Sequence, residues 1–214
     1  AALARLDCSQ NDAITGKRSR DHDGEAPWIY GEQPDGWIAL CSSLSGSSIT
    51  SLNFSGCGLK PESLTPLADA IKLMAVINSL ALTGCPIGVP ISTSLKDGAV
   101  TGVTVKEGVF AAVDGRWGEV TQDPDSDQEI KLCWLDDGQQ SNYTKVDKLS
   151  HVVASRADLV EDYSHIEQLG RAVTRLTKLD LADCKFNPGS IATFARSVSW
   201  ADAAVNRITV DSTG

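Results

Sequence analysis

Apolar residues return along this chain in a short, repeated spacing. Four segments superpose: Leu3-x-x-Leu6-x-Cys8-x-x-Asn11, Ile49-x-x-Leu52-x-Phe54-x-x-Cys57-x-Leu59, Ile77-x-x-Leu80-x-Leu82-x-x-Cys85-x-Ile87 and Leu176-x-x-Leu179-x-Leu181-x-x-Cys184-x-Phe186. A fifth, Val205-x-x-Ile208-x-Val210, follows them. Alternation of apolar and polar residues predicts a short strand in each, with one face buried. Leu52, Phe54, Leu80, Leu82, Leu179 and Leu181 are therefore expected in the core. Between strands the rhythm becomes helical. Leu64, Leu67, Ala68 and Ile71 follow the i, i+3, i+4, i+7 spacing, as do Ile191, Phe194, Ala195 and Val198. Pro61 and Pro188 stand just before those two helices, where a lost N–H costs little. Trp37, Leu40, Cys41 and Leu44 mark a third helix. A fourth is expected from about Leu159, with Tyr163, Ile166, Leu169 and Val173 on its buried face.

The pattern LxxLxLxx(N/C)xL in these segments resembles the leucine-rich repeat. Leu52 and Leu80 are 28 residues apart and Leu179 and Ile208 are 29 apart. That period resembles the ribonuclease-inhibitor-like subclass. The resemblance implies an α/β solenoid of parallel strands with convex helices. It also implies that the Asn/Cys position stacks between repeats and hydrogen-bonds the turning backbone, which makes Cys57, Cys85 and Cys184 a structural ladder of buried, reduced residues.

Two intervals exceed the period: Leu6 to Leu52 is 46 residues and Leu80 to Leu179 is 99. Both extra segments fall after a strand and before a helix, so both are expected on one side of the solenoid. The first, about 15–34, begins with Lys17-Arg18-Ser19-Arg20. Asp21, Asp23 and Glu25 follow at once, so the run reads as a solvated loop. Trp28 and Tyr30 in that loop either pin it to the body or anchor a partner.

The second insert, about 88–157, has a β texture. Val100–Val105, Gly108–Val113, Trp117–Thr121, Glu129–Leu135 and Ser141–Val146 read as strands, with turns at Asp114-Gly115, Asp123–Asp127 and Asp136-Asp137-Gly138. The phrase Arg116-Trp117-Gly118-Glu119-Val120, with Ile130–Gly138 and Tyr143 after it, resembles SH3-like modules of the Tudor or KOW kind. The expected fold class is thus a leucine-rich-repeat solenoid with an inserted small all-β barrel. Its domains are repeats over 1–87, the barrel over 88–157 and repeats over 158–214.

Charge narrows the partner. Of 214 residues, 28 are acidic and 19 basic, a net charge of -9, which disfavours nucleic acid and anionic membranes. No apolar run reaches the roughly 18 residues of a transmembrane helix. The opening Ala1–Asp7 is too short in its apolar run for a signal peptide, and the absent initiator Met suggests an excised or processed piece. Six cysteines without a CxxC pair, several given to the ladder, argue for a reducing, intracellular, cytoplasmic setting.

Catalytic chemistry is not legible. His22, His151 and His165 share no metal-ligand spacing and read as surface or boundary residues. Asp123, Asp125, Asp127 and Glu129 read as a turn rather than a calcium loop, and no glycine-rich phosphate loop occurs. Asn53-Phe54-Ser55 and Asn142-Tyr143-Thr144 read as chance glycosylation sequons. No catalytic residue, metal or cofactor is expected, and the chain is not read as an enzyme.

What remains is binding. Phe110, Trp117, Trp134 and Tyr143 either fill the barrel or line a peptide groove or a cage for a methylated cation. Trp134 is assigned to the core, while Trp117 and Tyr143 stay open between the two roles. The outward strand residues include Arg5, Asp7, Ser9, Ser51, Asn53, Ser79, Lys178, Asp180, Arg207, Thr209 and Asp211. They are small or charged and lack aromatic anchors. Candidate partner-binding residues are Trp28, Tyr30, Trp117, Tyr143, Arg5, Asp7, Lys178, Asp180 and Arg207. The expected function is a non-catalytic protein–protein interaction scaffold for a protein or peptide, acting through the barrel, the loop insert and the adjoining face. The alternative is an assembly subunit that forms homo-oligomers through its uncapped terminal strands.

Overall fold

The computed structural model describes residues 3–11, 14, 16–18, 28–30, 34–136 and 138–210, with only the backbone at 16–18 and 28–30. The chain divides into two compact units, Ala1–Gly88 with Tyr163–Gly214, and Val89–Asp162. Elements are numbered along the whole chain.

The first unit holds strands β1 (Arg5–Asp7), β2 (Gly16–Arg18), β3 (Trp28–Tyr30), β4 (Ser51–Asn53), β5 (Ser79–Ala81), β13 (Lys178–Leu181) and β14 (Arg207–Val210). β2 and β3 pair as a separate antiparallel ribbon. The other five form one parallel sheet, ordered β1-β4-β5-β13-β14. Leu6, Leu52, Leu80, Leu179 and Ile208 stand side by side in it. The strands are short because the chain turns out of the sheet soon after each. Gln10, Gly56, Gly84 and Asp183 take left-handed backbone there, with φ between 54° and 73°. Helices α1 (Pro34–Leu44), α2 (Leu64–Leu73), α3 (Ser164–Ala172) and α4 (Pro188–Ser197) pack in sequence, each against the next. Leu52, Phe54, Leu80, Leu82, Leu179 and Leu181 are buried with the helix residues Trp37, Leu64, Leu67, Ile71, Ile166 and Leu169 in one core.

Two helix expectations are corrected. The fourth helix does not start near Leu159, because Leu159–Asp162 is a strand, and α3 begins at Ser164. On α4 the buried side chains are Ser190 and Phe194, with Val198 just beyond, whereas Ile191 and Ala195 are exposed. Among the described residues α4 packs chiefly against α3, so it buries a narrower stripe than its apolar residues would fill.

The second unit holds β6 (Ser92–Leu95), β7 (Phe110–Val113), β8 (Arg116–Gln122), β9 (Glu129–Trp134), β10 (Thr144–Lys145), β11 (His151–Val153) and β12 (Leu159–Asp162). β6 pairs antiparallel with β12, and the rest form an antiparallel sheet ordered β10-β9-β8-β7-β11. Asp114 and Gly115, with φ of 50° and 81°, make the two-residue turn that joins β7 to β8. One face of the sheet buries Val109, Ala111, Val120, Ile130 and Leu132. The other buries Phe110, Ala112, Trp117 and Val153. The expected strand at 100–105 does not form. Gly98 and Gly102 adopt φ of 79° and 77°, and the Gly102 amide donates to Val152 O at 3.0 Å. β11, not foreseen in the sequence, takes the place beside β7.

These observations correct the expected fold class. A repeat solenoid requires equal units, but the in-register neighbours are 46, 28, 99 and 29 residues apart, so a common period is not kept. Four α-helices occur among the described residues, and no leucine-rich-repeat solenoid is evident. The small barrel is not closed either, since β10 and β11 lie at opposite edges of their sheet and do not pair with each other. The chain is a mixed α/β protein with a five-stranded parallel sheet and an antiparallel half-barrel sheet. Among the described residues no helix is long and apolar enough to cross a membrane.

Candidate functional site

The outward face of the parallel sheet is built first by its turns. Asp7 Oδ1 accepts from Ser9 Oγ at 2.7 Å, from the Ser9 amide at 3.1 Å and from Asn53 Nδ2 at 3.1 Å, and Oδ2 accepts from Arg5 Nη2 at 2.9 Å. The Ser9 hydroxyl and amide, then Asn53, and least of all Arg5, hold this carboxyl down at about 2. Asn53 Oδ1 likewise accepts from the Ser55 amide and Asp180 Oδ1 from the Ala182 amide. The acceptors of this row thus fasten the chain as it leaves each strand. Lys178 and Arg207 are exposed neighbours across β13 and β14. The structure gathers Arg5, Asp7, Lys178, Asp180 and Arg207 on one sheet and leaves no aromatic among them. The side chains of Trp28 and Tyr30, and all of Asp211, lie outside the described residues.

Behind the sheet, Cys57 Sγ donates to Cys8 O at 3.0 Å, Cys85 Sγ to Phe54 O at 3.3 Å and Cys184 Sγ to Leu82 O at 3.1 Å. Each thiol bonds the carbonyl of the residue just after the neighbouring strand in the sheet. Burial pushes Cys57 up to about 11 and Cys184 up to about 12, and it also raises Cys85. These thiols stay protonated near neutral pH, so they fit structural donors and not nucleophiles.

The antiparallel unit carries a cleft. A pocket of about 370 Å³ opens beside the β7–β8 turn, lined by Ser92 and Thr93 of β6, by Asp114, Arg116 and Trp117, and by Asp136. Arg116 grips Asp136 with two bonds, Nε to Oδ2 at 2.7 Å and Nη2 to Oδ1 at 2.6 Å. The Arg116 guanidinium also lies over the Trp134 ring, 4.5 Å from its centroid. The fork geometry and the ring together fix this arginine in one pose. Trp117 is 6% exposed and packs with Phe110, Ala112 and Val153, so little of it reaches the pocket. Asp114 is exposed at the lip, and its carboxylate meets no donor among the described residues.

The four aromatics of this unit therefore do not form a cage. Phe110 and Trp117 are interior. Trp134, assigned to the core from sequence, is half-buried beneath Arg116. Tyr143 is 54% exposed, with Lys131 Nζ 4.6 Å from its ring centroid. Asp125 serves a turn, as expected, its Oδ1 accepting from the amides of Asp127 and Glu129, both at 2.9 Å.

His151 is exposed, but His165 is fully buried, against expectation. Its Nε2 donates to Ile87 O at 2.8 Å, a partner 78 residues away in sequence. Among the described residues no cluster of His, Cys, Asp and Glu is arranged to hold a metal ion.

Sequence reasoning passed over Arg116, Asp114 and Asp136 as site residues. The only signal was the pair of Asp-containing turns on either side of one basic-aromatic step, Arg116-Trp117. Compared with known protein families, curated proteins and solved structures, the chain matches none.

Proposed function

We propose that this protein is a non-catalytic binding module that recognises a protein or peptide partner through the unit Val89–Asp162. The observation that carries this is the pocket beside the Arg116–Asp136 pair. It combines a fixed ion pair, a carboxylate that meets no donor among the described residues and an apolar wall, a mixture suited to recognition. The parallel sheet supports the same choice from the other side, because Asp7, Asn53 and Asp180 already use their oxygens on turns. Free cysteines, three of them serving as buried donors, support an intracellular, cytoplasmic setting.

Excision tests the proposal. Ser92 pairs with Asp162, and the Ile91 amide donates to Asp162 O at 2.9 Å, so the two ends of the unit lie side by side. A short Gly-Ser bridge from Gly88 to Tyr163 can replace it. Proteins captured from a lysate of the source cells by the intact and excised chains are compared by mass spectrometry, with far-UV dichroism confirming that the excised chain folds. Loss of the captured partners on excision is expected. Retention of the same partners by both chains contradicts the proposal.

A further inference from the structure

The charge of this protein is unevenly placed. Val89–Asp162 holds seven basic and fourteen acidic residues, a net charge of -7 within a chain total of -9. About a third of the sequence thus carries most of the net charge. A surface of one sign selects partners of the other and speeds their encounter. The pocket lies within this field. Asp114 at its lip is an acceptor with no donor among the described residues. Asp136 accepts one bond at each oxygen from Arg116, and a carboxylate oxygen can accept a second.

We infer that the pocket seats an arginine side chain from a basic, otherwise extended peptide segment of the partner, with its guanidinium between Asp114 and Asp136. This rests on the proposed function above and names the chemistry of its partner. A guanidinium presents five donors in a planar fork, enough to bind Asp114 with two and reach Asp136 with another. Its methylene stem lies along Ile91 and the small exposed part of Trp117, as arginine stems commonly do on apolar walls. The seat is ionic, and it does not use the aromatic faces, which are buried or covered by Arg116 and Lys131. Arg116 holds Asp136 in place as a positioning residue.

The test uses the full chain and dye-labelled octapeptides of alternating glycine with arginine, glutamate or serine, read by fluorescence anisotropy at low and moderate salt. Asp114→Asn removes the lip charge, and asparagine tolerates the positive φ of this turn position as well as aspartate does. Asp97→Asn removes an equal charge from another exposed turn of the same unit. The arginine peptide alone is expected to bind, more weakly as salt rises. Asp114→Asn should weaken it about tenfold and Asp97→Asn less than about twofold, as a local charged pair differs from diffuse attraction. Equal losses in the two variants, or stronger binding of the glutamate peptide, overturn the inference. If the arginine peptide fails to bind while excision of Val89–Asp162 still abolishes capture, the arginine seat is wrong and the recognition unit stands. If excision also leaves capture intact, both are wrong.

Discussion

Phe54→Ala is expected to cost the first unit about 3–5 kcal/mol of stability, the range for truncating a buried aromatic. Phe54 has no exposed surface, and its ring meets Trp37 edge-on, with centroids 5.1 Å apart and planes at 80°. That contact joins the parallel sheet to α1, and Trp37 is further fixed by its Nε1 donating to Ser63 O at 2.9 Å. Truncation removes the ring and leaves a hole lined by groups that are held elsewhere. The Phe54 carbonyl accepts from Cys85 Sγ, so the strand is not free to collapse inward. Urea unfolding followed by tryptophan fluorescence and far-UV dichroism measures the loss. Phe54→Leu, which keeps most of the volume, should cost about 1–2 kcal/mol. A loss below about 1 kcal/mol for the alanine variant would mean that Phe54 does not hold the sheet to the helix.

Gly88→Ala should also destabilise, by about 1–3 kcal/mol, for the opposite reason of too much volume. A Cβ there would stand 2.6 Å from both Cα and N of Phe186 and 2.7 Å from the Lys185 carbonyl carbon. These are backbone atoms and cannot swing aside as a side-chain tip would. They are pinned further because the Gly88 amide donates to Cys184 O at 2.8 Å. Gly36 is the control. It lies in the first turn of α1, and a Cβ there meets nothing within 4 Å, so Gly36→Ala should be neutral or stabilising by up to about 1 kcal/mol. Melting temperatures of the two variants should move in opposite directions or, at the least, only the Gly88 variant should fall. An unchanged melting temperature for Gly88→Ala would contradict the close approach.

Where periodicity reports burial directly, the structure was legible in the sequence. Leu52, Phe54, Leu80, Leu82, Leu179 and Leu181 alternate with polar neighbours, and all six are interior. Cys57, Cys85 and Cys184 recur at the same place after their strands, and each donates to a carbonyl beside the neighbouring strand. The architecture was not legible. A recurring motif gives which residues face inward, but not whether the intervening lengths sum to a regular solenoid, and here two of four intervals break the period. Ile191 and Ala195 are exposed: apolar spacing presumes neighbours on both flanks of a helix, and α4 packs chiefly against α3. His165 left no trace in sequence because its carbonyl partner comes from Ile87. The strand β11 was hidden for a related reason: its partner β7 lies some forty residues away, while the nearer valines at 100, 103 and 105 alternate as a strand would but are interrupted by left-handed glycines. The pocket was half-legible. Trp117 stands out in the sequence as an aromatic of the insert, but the Arg116–Asp136 pair links two turns twenty residues apart and exists only in the fold.

Where a partner lands on this protein decides between the pocket and the parallel sheet. Amide hydrogen exchange of the full chain, with and without a captured partner, maps that surface without altering the protein. Added protection is predicted at Asp114–Trp117, Ser92–Thr93 and Asp136, with the outward strands of the parallel sheet unchanged. Protection confined to Arg5–Asp7, Ser51–Asn53 and Lys178–Leu181, with the half-barrel sheet unaffected, would contradict it.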